Sequence, residues 1–115
     1  MELAPAGIRY DAAGKRLQSL KLDLVGHGDL GTQARQVFAN LGRALAASGA
    51  RPEQVVKITI YVVNHKREYL PIIEEARITL FGEHKPADTL IGIATLSNPD
   101  YLIEVDAIAV IDDAV

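Results

Sequence analysis

The amino-acid sequence predicts an α+β domain in which two helices cover one face of a mixed β-sheet. One observation is an apolar stripe of helical period that begins after Asp29. A second is the alternation of apolar and polar residues over about 55–63 and 102–111, which is typical of half-buried strands. The third is the order of the predicted elements, ββαβαββ, which places two helices between strands and favours an α+β layout.

The first predicted element is a β-hairpin across residues 7–25. Ile8 and Tyr10 precede residues 11–14, which read Asp-Ala-Ala-Gly and form a turn signal. Apolar and charged side chains then alternate over residues 20–24, the period of a strand. A loop containing Gly26-His27-Gly28 follows, and it lacks the further residues of a phosphate-binding motif.

The first helix is predicted to begin after Asp29, whose side chain can accept from free backbone N–H groups. It is predicted to end at Ser48-Gly49, because glycine suits the left-handed position after a helix. Its apolar stripe consists of Leu30, Ala34, Val37, Phe38, Leu41 and Leu45.

Residues 55–63 predict a strand, and residues from about Glu68 to Phe81 predict a second helix with Pro71 in its first turn. One face of the strand is predicted to hold Val56, Ile58, Ile60 and Val62, and the other Lys57, Thr59 and Tyr61. The inward stripe of the helix is predicted to hold Tyr69, Ile73, Ala76 and Leu80.

Two strands, about 89–94 and 102–111, close the chain, and a turn over residues 97–100 joins them. In the last strand, Ile103, Val105, Ala107, Ala109 and Ile111 are expected to face the helices. Leu102, Glu104, Asp106, Ile108 and Val110 are expected to face away. This second face is half polar and has no helix to cover it, so it is a candidate subunit interface or, alternatively, a solvated sheet face.

The composition indicates one soluble domain over residues 1–115. The net charge of −3 and the small aromatic content disfavour nucleic-acid binding. There are no cysteines, and no stretch approaches the roughly 18 apolar residues of a membrane helix. The N-terminal residues do not form a signal peptide, so a cytoplasmic protein is expected. The three histidines lack paired spacing, and no metal site or cofactor is predicted.

Two segments of the C-terminal third carry a family resemblance. Residues 82–89 read Gly-Glu-His-Lys-Pro-Ala-Asp-Thr, and residues 102–110 read Leu-Ile-Glu-Val-Asp-Ala-Ile-Ala-Val. They resemble the loop Gly-x-His-x-Pro-Ala-Arg-Ser/Thr and the last strand Ile-Glu-Ile-Glu-Ala-Ile-Ala-Val of the YjgF/Rid family, also called endoribonuclease L-PSP. Residues 32–41 and 48–59 are similar to further motifs of that family, in the same order.

The resemblance implies a chorismate-mutase-like fold and a homotrimer with ligand clefts between its subunits. It also implies an enamine or imine hydrolase that needs no cofactor, in which Glu104 is the catalytic carboxylate. Ala87, Asp88 and Thr89 then belong to the ligand-binding loop. Asp88 stands where the family's deaminases carry an arginine that grips the substrate carboxylate by two parallel hydrogen bonds.

An aspartate at this position repels a carboxylate, so little hydrolysis of simple 2-imino acids is expected. The family's N-terminal cleft residues, a tyrosine and a serine, have no matching motif here, and Tyr10 or Ser19 would have to substitute for them. Three functions remain open: a hydrolase with an altered substrate preference, a non-catalytic trimer that binds a small ligand, and a ribonuclease or translation inhibitor. The acidic composition makes the last the weakest of the three. For Asp88 and Thr89, a purely structural role at the start of a strand is the simpler alternative.

Overall fold

A computed structural model describes residues 4–10, 16–21 and 28–111 of the chain. Its strands are β1 (Ala4–Tyr10), β2 (Arg16–Lys21), β3 (Val55–Val63), β4 (Ala87–Ile93) and β5 (Ile103–Val110), and its helices are α1 (Leu30–Ala47) and α2 (Leu70–Phe81). Short 3-10 turns at Pro52–Gln54 and Arg67–Tyr69 lead into β3 and α2. The predicted α+β class and the order ββαβαββ are confirmed.

The five strands form one mixed sheet in the order β1-β2-β5-β3-β4. β5 lies in the centre and pairs antiparallel with both β2 and β3. β4 lies at the edge and pairs in parallel with β3. This parallel pair is connected by α2, as a crossover between parallel strands requires. The last two strands of the sequence therefore flank β3 on its two sides.

The predicted hairpin is confirmed as the antiparallel pair β1 and β2. The predicted turn over residues 11–14, the strand positions Leu22 and Leu24 and the loop over residues 25–27 lie outside the described residues. No helix in the described ranges is long and apolar enough to cross a membrane.

Helix α1 begins and ends as predicted. The Asp29 side chain accepts a hydrogen bond from the Thr32 backbone N–H at 2.8 Å, and this bond lowers the pKa of Asp29. At the other end, Gly49 adopts a positive φ of 79°, which costs glycine little. The cap and the glycine thus fix an 18-residue helix whose predicted apolar stripe is buried.

The core lies between one face of the sheet and the two helices. Its fully buried side chains from the sheet include Ile58, Ile60, Ile103 and Val105. Phe38 of α1 meets Phe81 of α2 edge to face, with ring centroids 6.3 Å apart, a favourable geometry for aromatic pairs. The residues of β5 predicted to face the helices are all buried.

The prediction that Val56 shares the core face with Ile58 is wrong. The pairing of β3 with β5 shifts register between Val55 and Lys57, which is a β-bulge. A bulge adds one residue to a strand, so the alternation of faces changes there. Val55 is buried in place of Val56, and Val56 is 49% exposed.

Helix α2 differs from its prediction in where it begins and in which of its residues are buried. The 3-10 turn at Arg67–Tyr69 precedes it, and Pro71 lies in its first turn. Ile73 and Ala76 are buried as predicted, whereas Tyr69 and Leu80 are half-buried. Arg77, which was not predicted to face inward, is buried.

Candidate functional site

A cavity of about 400 Å³ lies between α2 and the parallel pair β3 and β4. Most of its surface is apolar and comes from Leu70, Pro71 and Ile73 of α2 and from Ile60 and Leu90 of the strands. Three charged residues complete the lining, Glu74, Arg77 and Asp88. The volume suits a small metabolite, because ligand cavities in proteins usually measure about 300–1,000 Å³.

The charged part of the cavity is organised by Arg77. Its guanidinium Nε donates to Oε2 of Glu74 at 3.0 Å, and its Nη2 donates to Oε1 at 2.5 Å. This bidentate bond raises the pKa of Arg77 and lowers that of Glu74. Arg77 is only 5% exposed, whereas the Glu74 side chain is 53% exposed. Glu74 therefore holds the guanidinium from the solvent side.

Helical spacing explains why an arginine is buried here. Arg77 lies four residues after Ile73 and next to Ala76, so it belongs to the inward face of α2. Glu74 precedes it by three residues, the distance at which helical side chains meet. Both signals are present in the sequence, but charged residues are seldom buried unless they are paired, so helical spacing alone does not predict a buried arginine.

Asp88 lies on the helix side of the sheet. It is the register partner of the core residue Ile58, and it lines the cavity together with Arg77 and Glu74. Asp88 is exposed in the single chain. The surrounding protein nevertheless removes part of the water around its carboxylate, and this desolvation raises the pKa of Asp88. The positive charge of Arg77 opposes that shift.

A second, smaller cavity of about 270 Å³ adjoins the first through the same charged residues. It is lined by Glu74, Arg77 and Asp88 together with Lys85 and Pro86. The charged residues therefore stand between an apolar chamber and a more polar opening. Both cations and both carboxylates of this region belong to α2 or to the segment of residues 85–88.

Ala87 and Thr89 lie on the other face of the sheet. Their register partners are Lys57 and Thr59, which alternate with the core residues of β3. The Lys57 ammonium donates a hydrogen bond to the Thr89 hydroxyl. The predicted ligand-binding residues therefore lie on both faces of the sheet: Asp88 is on the side of α2, and Ala87 and Thr89 are on the opposite side.

Glu104 is on the helix-free face, but it is not solvated as its predicted position suggested. It is the register partner of Tyr61, and directly opposed residues of an antiparallel pair share a face. Glu104 is nevertheless only 8% exposed. Within one chain, the sheet therefore separates Glu104 from Asp88. The side chains of Tyr10 and Ser19, the proposed N-terminal substitutes, lie outside the described residues.

A second buried polar residue, Gln33, shapes the neighbourhood of β5. Its Nε2 donates to the backbone carbonyls of Gly28 and Asp100, each at 3.0 Å, and its Oε1 accepts from the Leu102 N–H at 2.9 Å. Its position three residues after Leu30 and four before Val37 placed it on the apolar stripe of α1. That spacing was the signal that a glutamine would be buried.

The pKa of Asp88 leads to a prediction on stability. A carboxyl whose pKa is raised by folding contributes stability that is fully present below its unfolded pKa of about 3.9 and is lost as the pH rises through the folded value. We expect Asp88→Asn to be more stable than the wild type at pH 7, by less than about 1 kcal/mol because the group is exposed. The difference should vanish near pH 3.

Urea unfolding at several pH values measures this difference. Glu83→Gln, which removes an exposed carboxylate five residues away, is the control. A wild type that is more stable than Asp88→Asn at pH 7 would show that the attraction of Arg77 outweighs desolvation.

Comparisons with known proteins agree with the fold. The family model described as Endoribonuclease L-PSP matches residues 14–111. The RutC family protein PH0854 of Pyrococcus horikoshii is 35% identical over 82 residues, which are 71% of this chain and 63% of the relative. The 2-iminobutanoate/2-iminopropanoate deaminase of Dermatophagoides farinae is 31% identical over 85 residues, which are 74% of this chain and 64% of that protein.

Among solved structures, the Rid-family protein YyfB of Yersinia pestis, whose function is unknown, is 34% identical. It superimposes with a TM-score of 0.71 over 96% of this chain and 77% of its own. The match spans less than two thirds of the length of the two curated relatives above.

Proposed function

Because the chain belongs to the endoribonuclease L-PSP (YjgF/Rid) family, we propose that it is a homotrimer that binds a small metabolite between its subunits and hydrolyses an enamine or imine. The observation that carries this proposal is the cavity beside Asp88. It has the volume of a small-molecule site, apolar walls and a few converging charges. The deaminase of Dermatophagoides farinae, which is similar over 74% of the chain, supports this class of reaction.

The trimer supplies what a single chain lacks. Glu104 and Asp88 lie on opposite faces of one sheet, so a ligand in the cavity cannot reach the Glu104 of its own chain. The helix-free face carries the exposed Ile91 beside polar groups such as Lys57 and Thr89, a composition that suits a subunit interface. In the proposed assembly, a neighbouring subunit brings its own Glu104 to the boundary of the cavity.

The proposed reaction is the addition of water to a C=N bond. The enamine first takes a proton on carbon and becomes an imine. Glu104 accepts a proton from the attacking water while oxygen bonds to the imine carbon, and it returns the proton to nitrogen. In the resulting carbinolamine, the hydroxyl proton passes to the amino group as the C–N bond breaks, so that ammonia leaves and a carbonyl compound remains. No oxidant, reductant or cofactor is needed for this balance.

Asp88 gives this protein a substrate preference of its own. A strand arginine at that position would fix an α-carboxylate by a bidentate bond. Asp88 cannot accept a carboxylate in this way, and its charge disfavours one placed directly against it. We propose that the substrate is not a simple 2-imino acid held by the strand. The charges supplied by α2 then decide which molecule is bound.

A non-catalytic ligand-binding trimer is the second candidate. The separation of Asp88 from Glu104 favours it, because a binding site beside α2 functions without any carboxylate from the other face. Detection of ligand binding without hydrolysis of any imine would select this candidate over the hydrolase.

We expect the protein to sediment as a homotrimer at micromolar concentration. The physical reason is the half-polar sheet face that neither helix of the described residues covers. Sedimentation equilibrium measures the mass directly, and 12.4 kDa is the mass of one chain. A protein that stays monomeric up to 100-fold above that concentration would contradict both the interface and the cleft between subunits.

We expect little acceleration of the hydrolysis of 2-aminoacrylate by this protein. The carboxylate of that small imine precursor lacks an arginine on β4, because Asp88 occupies the position. Release of pyruvate is followed while a serine dehydratase generates the substrate, with and without this protein. A Rid-family deaminase that has the loop arginine is the positive control. Rates equal to that control would show that the carboxylate is anchored from elsewhere in the site.

A further inference from the structure

A further cavity, of about 500 Å³, lies between the N-terminal halves of α1 and α2. We call it the α1–α2 groove, and its lining consists of Asp29, Leu30, Gly31, Arg35, Tyr69, Ile72, Glu75 and Leu102. Ile72 and Glu75 of α2 belong to this lining, whereas their neighbours Ile73 and Glu74 line the cavity on the other side of the helix. The α1–α2 groove shares no lining residue with the two cavities beside Asp88, so it is a separate site.

The walls of the α1–α2 groove are largely apolar. Leu30 is buried, and Tyr69 and Leu102 are half-buried against the core. The Tyr69 ring meets the His65 ring edge to face, with centroids 6.2 Å apart, a contact that holds the tyrosine ring in place. Ile72 is 37% exposed, although isoleucine is among the residues most often buried. An apolar group that covered these surfaces would displace water from them.

Gly31 leaves a space open in this lining. A Cβ atom at this position would lie 3.6 Å from Cγ2 of Ile72 and 3.3 Å from Nη1 of Arg35. Gly31 lies inside α1, where alanine is a better helix former than glycine. Helix stability therefore does not explain the glycine, whereas the space that it leaves between the two helices is suited to hold part of a ligand.

The charged residues make the α1–α2 groove negative. Two carboxylates, those of Asp29 and Glu75, and one guanidinium, that of Arg35, leave one negative charge in the lining. The hydrogen bond from the Thr32 backbone N–H lowers the pKa of Asp29, so this carboxylate is charged at neutral pH. Within the described part of the chain, neither Glu75 nor Arg35 forms an ion pair. A lining of this charge attracts a cation.

We propose that the α1–α2 groove binds a small organic amine, that is, a protonated amino group on an apolar body of about the size of a benzene ring. The body covers Ile72 and fills the space beside Gly31. The ammonium group lies toward Glu75 and away from Arg35. The ring of Tyr69 adds to the attraction, because ammonium groups bind over aromatic faces. This site is independent of the proposed hydrolysis, which takes place on the other side of α2.

Calorimetric titration with three matched probes tests this site. Phenethylamine has the amino group and the apolar body, 3-phenylpropionate has the same body with a carboxylate, and ethylamine has the amino group without the ring. We expect phenethylamine to bind at least about tenfold more tightly than 3-phenylpropionate, because reversing the charge of the ligand replaces attraction by repulsion. We expect a similar loss for ethylamine, since it covers little apolar surface.

Three variants test the lining. Gly31→Ala should weaken phenethylamine binding at least about fivefold, as one extra methyl group in an occupied space predicts. The variant should fold, because Nη1 of Arg35 is the end of a flexible, exposed side chain that can move away. Glu75→Gln should weaken binding about threefold, and Arg35→Gln should strengthen it by a similar factor, since both charges are partly solvated. Glu75 and Arg35 are exposed, so their variants test the site even if Gly31→Ala fails to fold.

Three further variants lie outside the α1–α2 groove and serve as controls. Arg43→Gln removes an exposed charge further along α1, and Glu83→Gln removes one just after α2. Asp88→Asn alters the other site, whose carboxylates also attract amines. All three should bind phenethylamine as the wild type does.

Binding of 3-phenylpropionate as tight as that of phenethylamine would overturn the assignment of the α1–α2 groove to amines. Unchanged phenethylamine binding by Gly31→Ala or by Glu75→Gln would overturn it as well. A loss in Asp88→Asn with none in Gly31→Ala would place the amine beside Asp88 instead. If the protein hydrolyses an imine but binds no phenethylamine, the amine site is wrong and the proposed function stands. If it binds phenethylamine with the expected variant pattern and hydrolyses nothing, the amine site stands and the proposed hydrolysis fails.

Discussion

Replacing Gln33 with leucine is expected to lower the free energy of unfolding by about 2–4 kcal/mol, because it removes three partly buried hydrogen bonds to backbone groups. Gln33 is 2% exposed, and its amide joins α1 to the segment before β5 through the carbonyls of Gly28 and Asp100 and the N–H of Leu102. Leucine has a similar volume, so the expected loss comes from hydrogen bonding and not from a cavity.

The same helix offers a matched control. Gln36 is exposed, and its amide donates to Asn40 within the helix. Gln36→Leu should change stability by less than about 0.5 kcal/mol, as most surface substitutions do. A second variant, Gln33→Glu, keeps the acceptor for Leu102 and places a charge against two carbonyl oxygens, so it should be at least as destabilising as Gln33→Leu. Urea unfolding at one protein concentration compares the free energies of unfolding of the three variants and the wild type. If Gln33→Leu lowers the free energy of unfolding no more than Gln36→Leu does, water must replace the Gln33 amide as the partner of these backbone groups.

The fold could be predicted because its signals are local and agree with one another. The stripe from Leu30 to Leu45, the cap at Asp29 and the glycine after Ser48 each specify the same helix, and each was found in the structure. The alternation in β5 likewise predicted its core face. Such consistency between local preference and burial is what allows a sequence to specify a structure.

Val56 shows where this reasoning reaches its limit. Alternation assumes an unbroken strand, and the bulge between Val55 and Lys57 is produced by pairing with residues of β5 that lie more than 50 residues further along the chain. Both valines have the same preference for strands, so nothing in the local sequence distinguishes the buried one from the exposed one.

The candidate site was only partly predicted from the sequence, because its arrangement also depends on contacts between distant parts of the chain. The motif identified Asp88, but it did not indicate that Asp88 faces α2 while Thr89 and Glu104 lie on the other side of the sheet. Arg77 carries no motif, and its role depends on a hydrogen bond with Glu74 and on burial against the sheet. These are tertiary properties, which a spacing rule can suggest but not establish.

If the protein is a hydrolase as proposed, Glu104→Gln should lower the rate of hydrolysis of its substrate by about 10²- to 10⁴-fold, the usual contribution of a positioned general acid–base. Glutamine has nearly the same shape as glutamate but does not exchange a proton near neutral pH. Glu104 is 8% exposed and faces Tyr61, so it also has structural neighbours. A loss of activity alone would therefore not distinguish chemistry from misfolding.

Asp106→Asn is the matched control for this substitution. Asp106 lies two residues along the same strand, on the same face, opposite Thr59. If Glu104 exchanges the proton, Asp106→Asn should keep the rate within about tenfold, which is less than the roughly 10²-fold lower end of what a general acid–base supplies. Thermal unfolding and sedimentation establish that both variants are folded and assembled. Turnover by a folded Glu104→Gln trimer at the wild-type rate would exclude Glu104 as the proton-transfer group. An equal loss in both variants, accompanied by dissociation of the trimer in sedimentation, would mean that the carboxylates of this face act by assembling the subunits, and the catalytic group would then have to be sought beside α2.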